Sequence, residues 1–358
     1  MRYTIVLCLW LSAFSIGAKP APSYTMAEGK LGASLFRIAV PAQWNHDVLM
    51  FAHGLRQAHE PLSADFSTND VCFTSLIGEG WMIASTSYRR NGYIIGEAIE
   101  DLDQLRQHIV DTYGAPKRVF LEGGSMGGAI VTRMAETREG RYAGALAVGP
   151  VLSIGANPYD FTPKMPLLML SNQNEFSDPP AYAAKVTQAP VKPARWIVKR
   201  DGHCNVTSAE RLAALRAIFG WSEGGAIELE RDGTIAEPPP PSAAVFTDGA
   251  ATAKILYCAS QGGSVDTEFT AADLAKLGIA PGAQFQATCK GKTVTVRYGT
   301  RYSDVPQGDW VAFIRAEGQR LRLARNYANA VEVLGCAAGD AVTIAPAQDV
   351  ATPPRANP

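Results

Sequence analysis

Between residues 24 and 221 the chain alternates short, nearly continuous apolar runs with longer stretches in which apolar residues recur every three or four positions. A continuous apolar run suits a strand buried on both faces, and helical recurrence suits a helix that covers one of them. The alternation therefore predicts a doubly wound, mostly parallel sheet with helices on both sides, an α/β architecture. The predicted strands are 35–40, 48–52, 82–87, 118–122, 143–148, 167–171 and 194–199. In "AIEDLDQLRQHIVDTY", Ala98, Leu102, Leu105, Ile109 and Tyr113 share one helical face, and Asp101, Gln104 and His108 fall on the face expected to meet solvent. Further helices are predicted over 126–137, 180–187 and 208–219, the last capped by Thr207 or Ser208.

The pattern changes after residue 221. Residues 222–246 are rich in glycine, proline and charge, and four consecutive prolines favour an extended spacer, so this segment is expected to link two domains. Residues 247–346 read differently, as short runs such as "KILYCA", "KTVTVRY" and "WVAFIR" between turn residues, which predicts a small β-rich domain with two short helices. Within it "LGIAPGAQFQA" from Leu277 is echoed by "LGCAAGDAVTI" from Leu334, which predicts paired substructures in one barrel. Residues 347–358 read as a disordered tail.

Composition narrows the classes. The 358 residues are 47% hydrophobic, enough for a sizeable core, and the net charge of −1 with no long basic run argues against a nucleic-acid partner. Residues 1–18 combine Arg2, an apolar stretch of about 14 residues and a small residue, Ala18, at a cleavable position; the stretch is shorter than the ~20 residues that span a bilayer. A cleaved signal peptide and a secreted or periplasmic mature chain are expected, with no stable membrane span. Cleavage removes Cys8 and leaves Cys72, Cys204, Cys258, Cys289 and Cys336, an odd number without metal-binding spacing, so no metal is expected. Cys72 and Cys204 are the pair available for a link inside the first domain; the second offers three pairings, which the sequence leaves open.

The chemistry concentrates around "VFLEGGSMGGAI". Gly123, Ser125 and Gly127 fit G-x-S-x-G between a predicted strand and a predicted helix, the setting in which a tight turn exposes a serine hydroxyl above a sheet. A serine hydroxyl needs a base, and the chain order for this arrangement is serine, acid, histidine. His46, His53, His59 and His108 all precede Ser125, so His203, in "RDGHCN", is the candidate base. The acid should follow the strand before it, in "LLMLSNQNEFSDPP", where Glu175 is preferred and Asp178 is the alternative. The backbone amide of Met126 and that of Leu55 or Gly54 are the candidate oxyanion donors, and His53 is expected to shape its turn.

With these stretches in place, and with "WNHDVLMFAHG" and "GWMIASTSYRRNGY" in order and spacing, residues 30–221 resemble an α/β-hydrolase. The resemblance implies a doubly wound sheet and acyl transfer on Ser125, Glu175 and His203, with a small-molecule ester substrate and no cofactor. Only residues 151–165 stand where many such enzymes insert a cap, which leaves the site open or covered by something else. Tyr88, Arg89 and Met126 are expected beside the substrate. Residues 252–346, through Tyr302, Asp304, Gly308, Gly318, Ala328, Leu334, Gly335, Gly339 and Asp340, resemble the carboxy-terminal β-barrel of S-adenosylmethionine hydroxide adenosyltransferases, but "ASQGGS" stands where that family carries nucleoside-holding polar residues. The reading that follows is a carboxylic ester hydrolase. A serine peptidase of the prolyl oligopeptidase type and a non-catalytic adenosyl-binding protein are the alternatives.

Overall fold

In the computed structural model, which describes residues 23–64, 66–153, 159–175, 178–259 and 263–347, the apolar runs become one nine-stranded sheet. Its strands are β1 (Tyr24–Leu31), β2 (Ser34–Pro41), β3 (Asp47–Ala52), β4 (Met82–Thr86), β5 (Arg118–Gly124), β6 (Gly144–Val148), β7 (Leu167–Asn172), β8 (Ala194–Val198) and β9 (Glu230–Asp232). They lie in the order β1-β2-β4-β3-β5-β6-β7-β8-β9. The β1–β2 and β2–β4 pairings are antiparallel and the rest parallel. Every residue of β4, β6 and β7 is buried, as parallel strands covered on both faces require. The expected signal-peptide segment lies outside the described residues, as does all but the first residue of the expected tail.

Five helices supply the cover: α1 (Val71–Gly78), α2 (Ile95–Tyr113), α3 (Met126–Thr137), α4 (Asp178–Lys185) and α5 (Ser208–Ser222). One face of the sheet packs Met50, Leu121 and Met169 against Leu102 and Leu105 of α2, Ile130 and Met134 of α3 and Tyr182 of α4. The opposite face packs Leu49, Phe120 and Leu168 against Phe73 of α1 and Leu215, Ile218 and Phe219 of α5. Because β3 and β5 to β8 run the same way, their carboxyl ends deliver the loops beginning at residues 53, 125, 149, 173 and 199 to one edge, the usual place for a site in such a sheet.

Three expectations are corrected. Asp101, predicted to face solvent, is 2% exposed and accepts from the Arg89 backbone amide (2.7 Å) and guanidinium, because the turn after β4 folds Arg89 onto it. The 222–246 segment is not all spacer: Glu230, Arg231 and Asp232 form β9 beside Arg195, Trp196 and Ile197 of β8. That strand is all charge and exposed along its length, held by pairs such as Lys199 Nζ to Asp232 (2.8 Å), so hydrophobic patterning does not reveal it. Cys72 and Cys204 are both free thiols: Cys72 is packed in α1, and the Cys204 thiol donates to the Val148 carbonyl oxygen (3.2 Å).

The second domain contains β10 (Val245–Thr247), β11 (Ala250–Cys258), β12 (Val265–Thr267), β13 (Gln284–Cys289), β14 (Lys292–Tyr298), β15 (Trp310–Ile314), β16 (Leu321–Arg325) and β17 (Ala341–Pro346). Seven of them close a barrel in the order β11-β12-β16-β15-β14-β13-β17 and back to β11, whose amino-terminal end also carries β10. Phe269, Phe285, Val296, Leu321 and Ile344 fill its interior. The sequence echo appears as two helix-to-strand units, α6 (Ala271–Lys276) leading to β13 and α7 (Ala330–Leu334) leading to β17, and the two strands pair antiparallel. Corresponding glycines adopt matching left-handed angles, φ 74° and 65° at Gly278 and Gly335 and 88° at both Gly282 and Gly339. Of the three cysteines here, Cys258 and Cys336 bring their Sγ atoms to 3.9 Å as free thiols.

Candidate active site

Ser125 sits between the end of β5 and the start of α3 with φ 58° and ψ −118°, a conformation that costs a non-glycine residue about 1–3 kcal/mol and persists only where surroundings enforce it. The glycines around it do the enforcing by close approach. A Cβ on Gly123 would lie 2.4 Å from the Gly127 carbonyl, and one on Gly127 would lie 2.0 Å from the Ala52 oxygen of β3. Helix α3 can therefore press against β3 only because side chains are missing there. Gly127→Ala is expected to destabilise the fold by more than ~2 kcal/mol in denaturant unfolding, since backbone meets backbone. Gly96→Ala, on the exposed first turn of α2 with nothing within 4 Å, is expected to stabilise by up to about 1 kcal/mol.

His203 reaches Ser125 from the loop after β8. Its Nε2 lies 2.9 Å from Ser125 Oγ and its Nδ1 lies 2.6 Å from Glu175 Oε1. A carboxylate can only accept, so Nδ1 carries a proton, and in the neutral ring Nε2 turns its lone pair to the hydroxyl. The second oxygen of Glu175 accepts from the Cys204 amide (3.1 Å), and its side chain is 3% exposed. Asp178, the alternative acid, is brought elsewhere: one carboxylate oxygen accepts from the Leu152 amide (3.1 Å), the Ser153 amide (3.3 Å) and the Ser153 hydroxyl (3.0 Å).

This geometry can be set beside known proteins. Residues 88–186, a span containing Ser125 and Glu175, match the family model described as serine aminopeptidase, S33. The first domain has the α/β-hydrolase fold. Among solved structures it is similar to a putative dipeptidyl aminopeptidase IV from Bacteroides ovatus (15% identity, 57% of this chain and 36% of that one, TM-score 0.45). It is also similar to an esterase from Pyrococcus furiosus (13% identity, 56% of this chain and 91% of that one, TM-score 0.42). A third is the S-formylglutathione hydrolase of Staphylococcus aureus (14% identity, 58% of this chain and 99% of that one, TM-score 0.40). The chain spans 36% of the Bacteroides protein and 48% of an uncharacterized conserved protein from Thermotoga maritima. No curated protein matches the sequence.

Within the hydrolase domain the remaining expected residues take definite places. Gly54 approaches the nucleophile turn, its Cβ direction lying 3.5 Å from Ser125 Cβ, and Leu55 beside it is 38% exposed. Met126 opens α3, so its amide belongs to the first turn, whose amides have no intrahelical partner. Its side chain is 2% exposed and packs in the core instead of bordering open space. Tyr88, expected beside substrate, is completely buried: its ring stacks on His53 with centroids 4.1 Å apart, and its hydroxyl donates to the His53 carbonyl (3.1 Å). It supports the loop that carries Gly54 and Leu55. Arg89 is paired with Asp101 (2.7 Å) and Glu100 (2.9 Å). His53 shapes its turn, with Nδ1 2.7 Å from the Gly54 oxygen and Nε2 3.2 Å from that of Ser87.

Several supporting residues escape motif reading. Asn172 at the end of β7 clamps the histidine loop, donating to the Arg200 (3.1 Å) and Asn205 (2.9 Å) carbonyls and accepting from the Asn205 amide (2.8 Å). Asn174 accepts from the Gly202 amide (2.8 Å). Gly149 leaves room for the acid, because a Cβ there would lie 2.6 Å from Glu175 Oε2 and 2.8 Å from Cys204 Sγ. The polar run "SNQNE" directly after an apolar strand is the sequence signal that could have exposed Asn172 and Asn174.

Burial by itself lowers the basicity of His203, while the Cys204 sulfur and the Glu175 carboxylate against the ring raise it, and the balance lies above the ordinary imidazole value of 6.5. The neutral ring is the form that can take a proton from Ser125. Activity should therefore rise with pH through a midpoint above 6.5, and Glu175→Gln should move that midpoint down, as read from kcat/KM against pH.

Proposed function

We propose that the chain is a carboxylic ester hydrolase that works through an acyl-enzyme on Ser125. The observation that carries this reading is the continuous hydrogen-bonded path from Ser125 Oγ through the His203 ring to Glu175. As the hydroxyl attacks the ester carbonyl, His203 Nε2 takes its proton, and the buried Glu175 carboxylate stabilises the imidazolium and holds its orientation. The developing oxyanion is met by the Met126 amide, aided by the positive end of α3, and by the Leu55 or Gly54 amide. His203 then returns the proton to the leaving alcohol, and water repeats the cycle on the acyl group.

The match to a serine aminopeptidase family model favours a second reading, peptide cleavage. An aminopeptidase must hold a substrate ammonium, yet the described carboxylates of the acid and histidine loops are committed within the chain: Glu175 to His203, Asp178 to Leu152 and Ser153, Asp201 to Gln173 (2.9 Å). That commitment supports the ester. A panel of short and long acyl esters beside aminoacyl amides tests it, with Ser125→Ala as the background: ester turnover above that background supports the reading, and turnover of the amides alone overturns it. Export, read from residues 1–18, belongs to the same proposal, and the amino-terminal sequence of the mature chain tests it.

A further inference from the structure

We infer that the barrel is a positioning module for the active site, holding the two loops that carry His203 and Glu175 through Asn205 and Arg301; this rests on the hydrolase reading of Ser125, His203 and Glu175. The barrel is tied to the hydrolase domain at those two loops. Two residues after His203, the Asn205 carboxamide donates to the Ile314 carbonyl at the end of β15 (3.0 Å) and accepts from the Ala316 amide of the turn that follows (2.6 Å). One residue before Glu175, the Asn174 carbonyl accepts from the Arg301 guanidinium (3.0 Å). The Asn174 side chain in turn accepts from the Gly202 amide (2.8 Å), so the Arg301 contact steadies the acid loop and reaches the histidine loop. Glu317, beyond β15, accepts from the backbone amide (2.7 Å) and hydroxyl (2.8 Å) of Ser208, where α5 follows the histidine loop.

The barrel's topology explains why these contacts coincide. Among its described pairings β14 with β15 alone is parallel, and the others are antiparallel. Parallel neighbours release their carboxyl-terminal loops at the same end, so the turn carrying Arg301 and the turn carrying Ala316 and Glu317 emerge side by side. The contacts are polar, each domain keeps its own apolar core, and a cavity of about 370 Å³ lined in part by Asp201, Asn205, Thr300 and Arg315 separates the surfaces beside them. Such an interface sets position and adds little to the stability of either core. Asn172 holds the histidine loop through backbone groups of Arg200 and Asn205, so removing the Asn205 side chain leaves that clamp intact; it does remove a bond within the loop, to the Asp201 carbonyl (3.2 Å), which Arg301→Ala spares.

The test uses the full chain and compares wild type, Asn205→Ala, Arg301→Ala and the double variant. Displacement of a catalytic group by about an ångström can cost roughly 10²-fold, so each single variant should lose about 10- to 100-fold in kcat with KM changed less than about twofold. Both should slow fluorophosphonate labelling of Ser125 in proportion. The acid limb of the pH profile should also move down as His203 loosens from Glu175, a change that a barrel serving only stability would not produce. Circular dichroism and thermal unfolding select the folded variants, and Arg301→Ala decides alone if Asn205→Ala does not fold. Folded variants with wild-type kcat, labelling rate and midpoint overturn the inference while the hydrolase reading stands. A wild type that is neither labelled nor active overturns that reading and the inference with it.

Discussion

Ser125→Ala removes ester turnover, with kcat falling about 10⁵- to 10⁶-fold, the scale at which a triad loses its nucleophile. Two observations place the loss on this residue: Oγ is 2.9 Å from His203 Nε2, and the turn presents it where α3 begins. The same position makes a second, opposite effect measurable. Ser125 is held at φ 58° without a side-chain capping bond to α3, so its conformation is a cost to folding that function retains. Ser125→Gly is therefore expected to be equally inactive and more stable by about 1 kcal/mol, because glycine enters this region without steric cost. Denaturant unfolding beside an ester assay reads both. An active Ser125→Ala protein, beyond a wild-type contaminant, would remove the mechanism altogether.

The second large effect separates two carboxylates three positions apart. Glu175→Ala should lower kcat about 10⁴-fold, since the imidazole loses the partner that fixes its tautomer and stabilises its charged form. It also leaves the Cys204 amide, 3.1 Å from Glu175 Oε2, without that acceptor. Asp178→Ala should leave kcat within a few-fold of wild type and cost about 1.5–3 kcal/mol of stability, through the lost charge-assisted bonds to Leu152 and Ser153. Steady-state kinetics and thermal unfolding on both variants decide the matter. Reversed results would assign the acid to Asp178 and require the loop to rearrange before catalysis.

Much of this organisation can be read before any coordinates are seen. The predicted runs at 48–52, 118–122 and 167–171 fall within β3, β5 and β7 because strands buried on both faces must be continuously apolar. Helix α3 was legible over its whole length, and the echoed Leu-Gly turns of the barrel were visible as letters because left-handed turns favour glycine. Other features could not be seen. The charged strand β9 lies on the sheet edge and carries no apolar signature, and Asp101 looks solvent-facing until Arg89 folds over it. Tyr88 reads as an aromatic beside the site, yet its contact with His53 spans 35 positions and only the folded chain produces it.

By itself, then, the sequence determined which residues could do the chemistry: a serine in a glycine turn, the sole histidine after it, and a short list of two acids. Those are matters of residue type and order, which are local and survive without coordinates. Tertiary structure decided what depends on distances between remote segments. It set Glu175 and not Asp178 against the histidine ring, turned Tyr88, Arg89 and the Met126 side chain inward or into ion pairs, and brought Arg301 and Ile314 of the barrel onto loops 127 and 109 residues away. Hydrogen bonds and ion pairs act over a few ångströms, and only the closing of both domains brings such partners within that range.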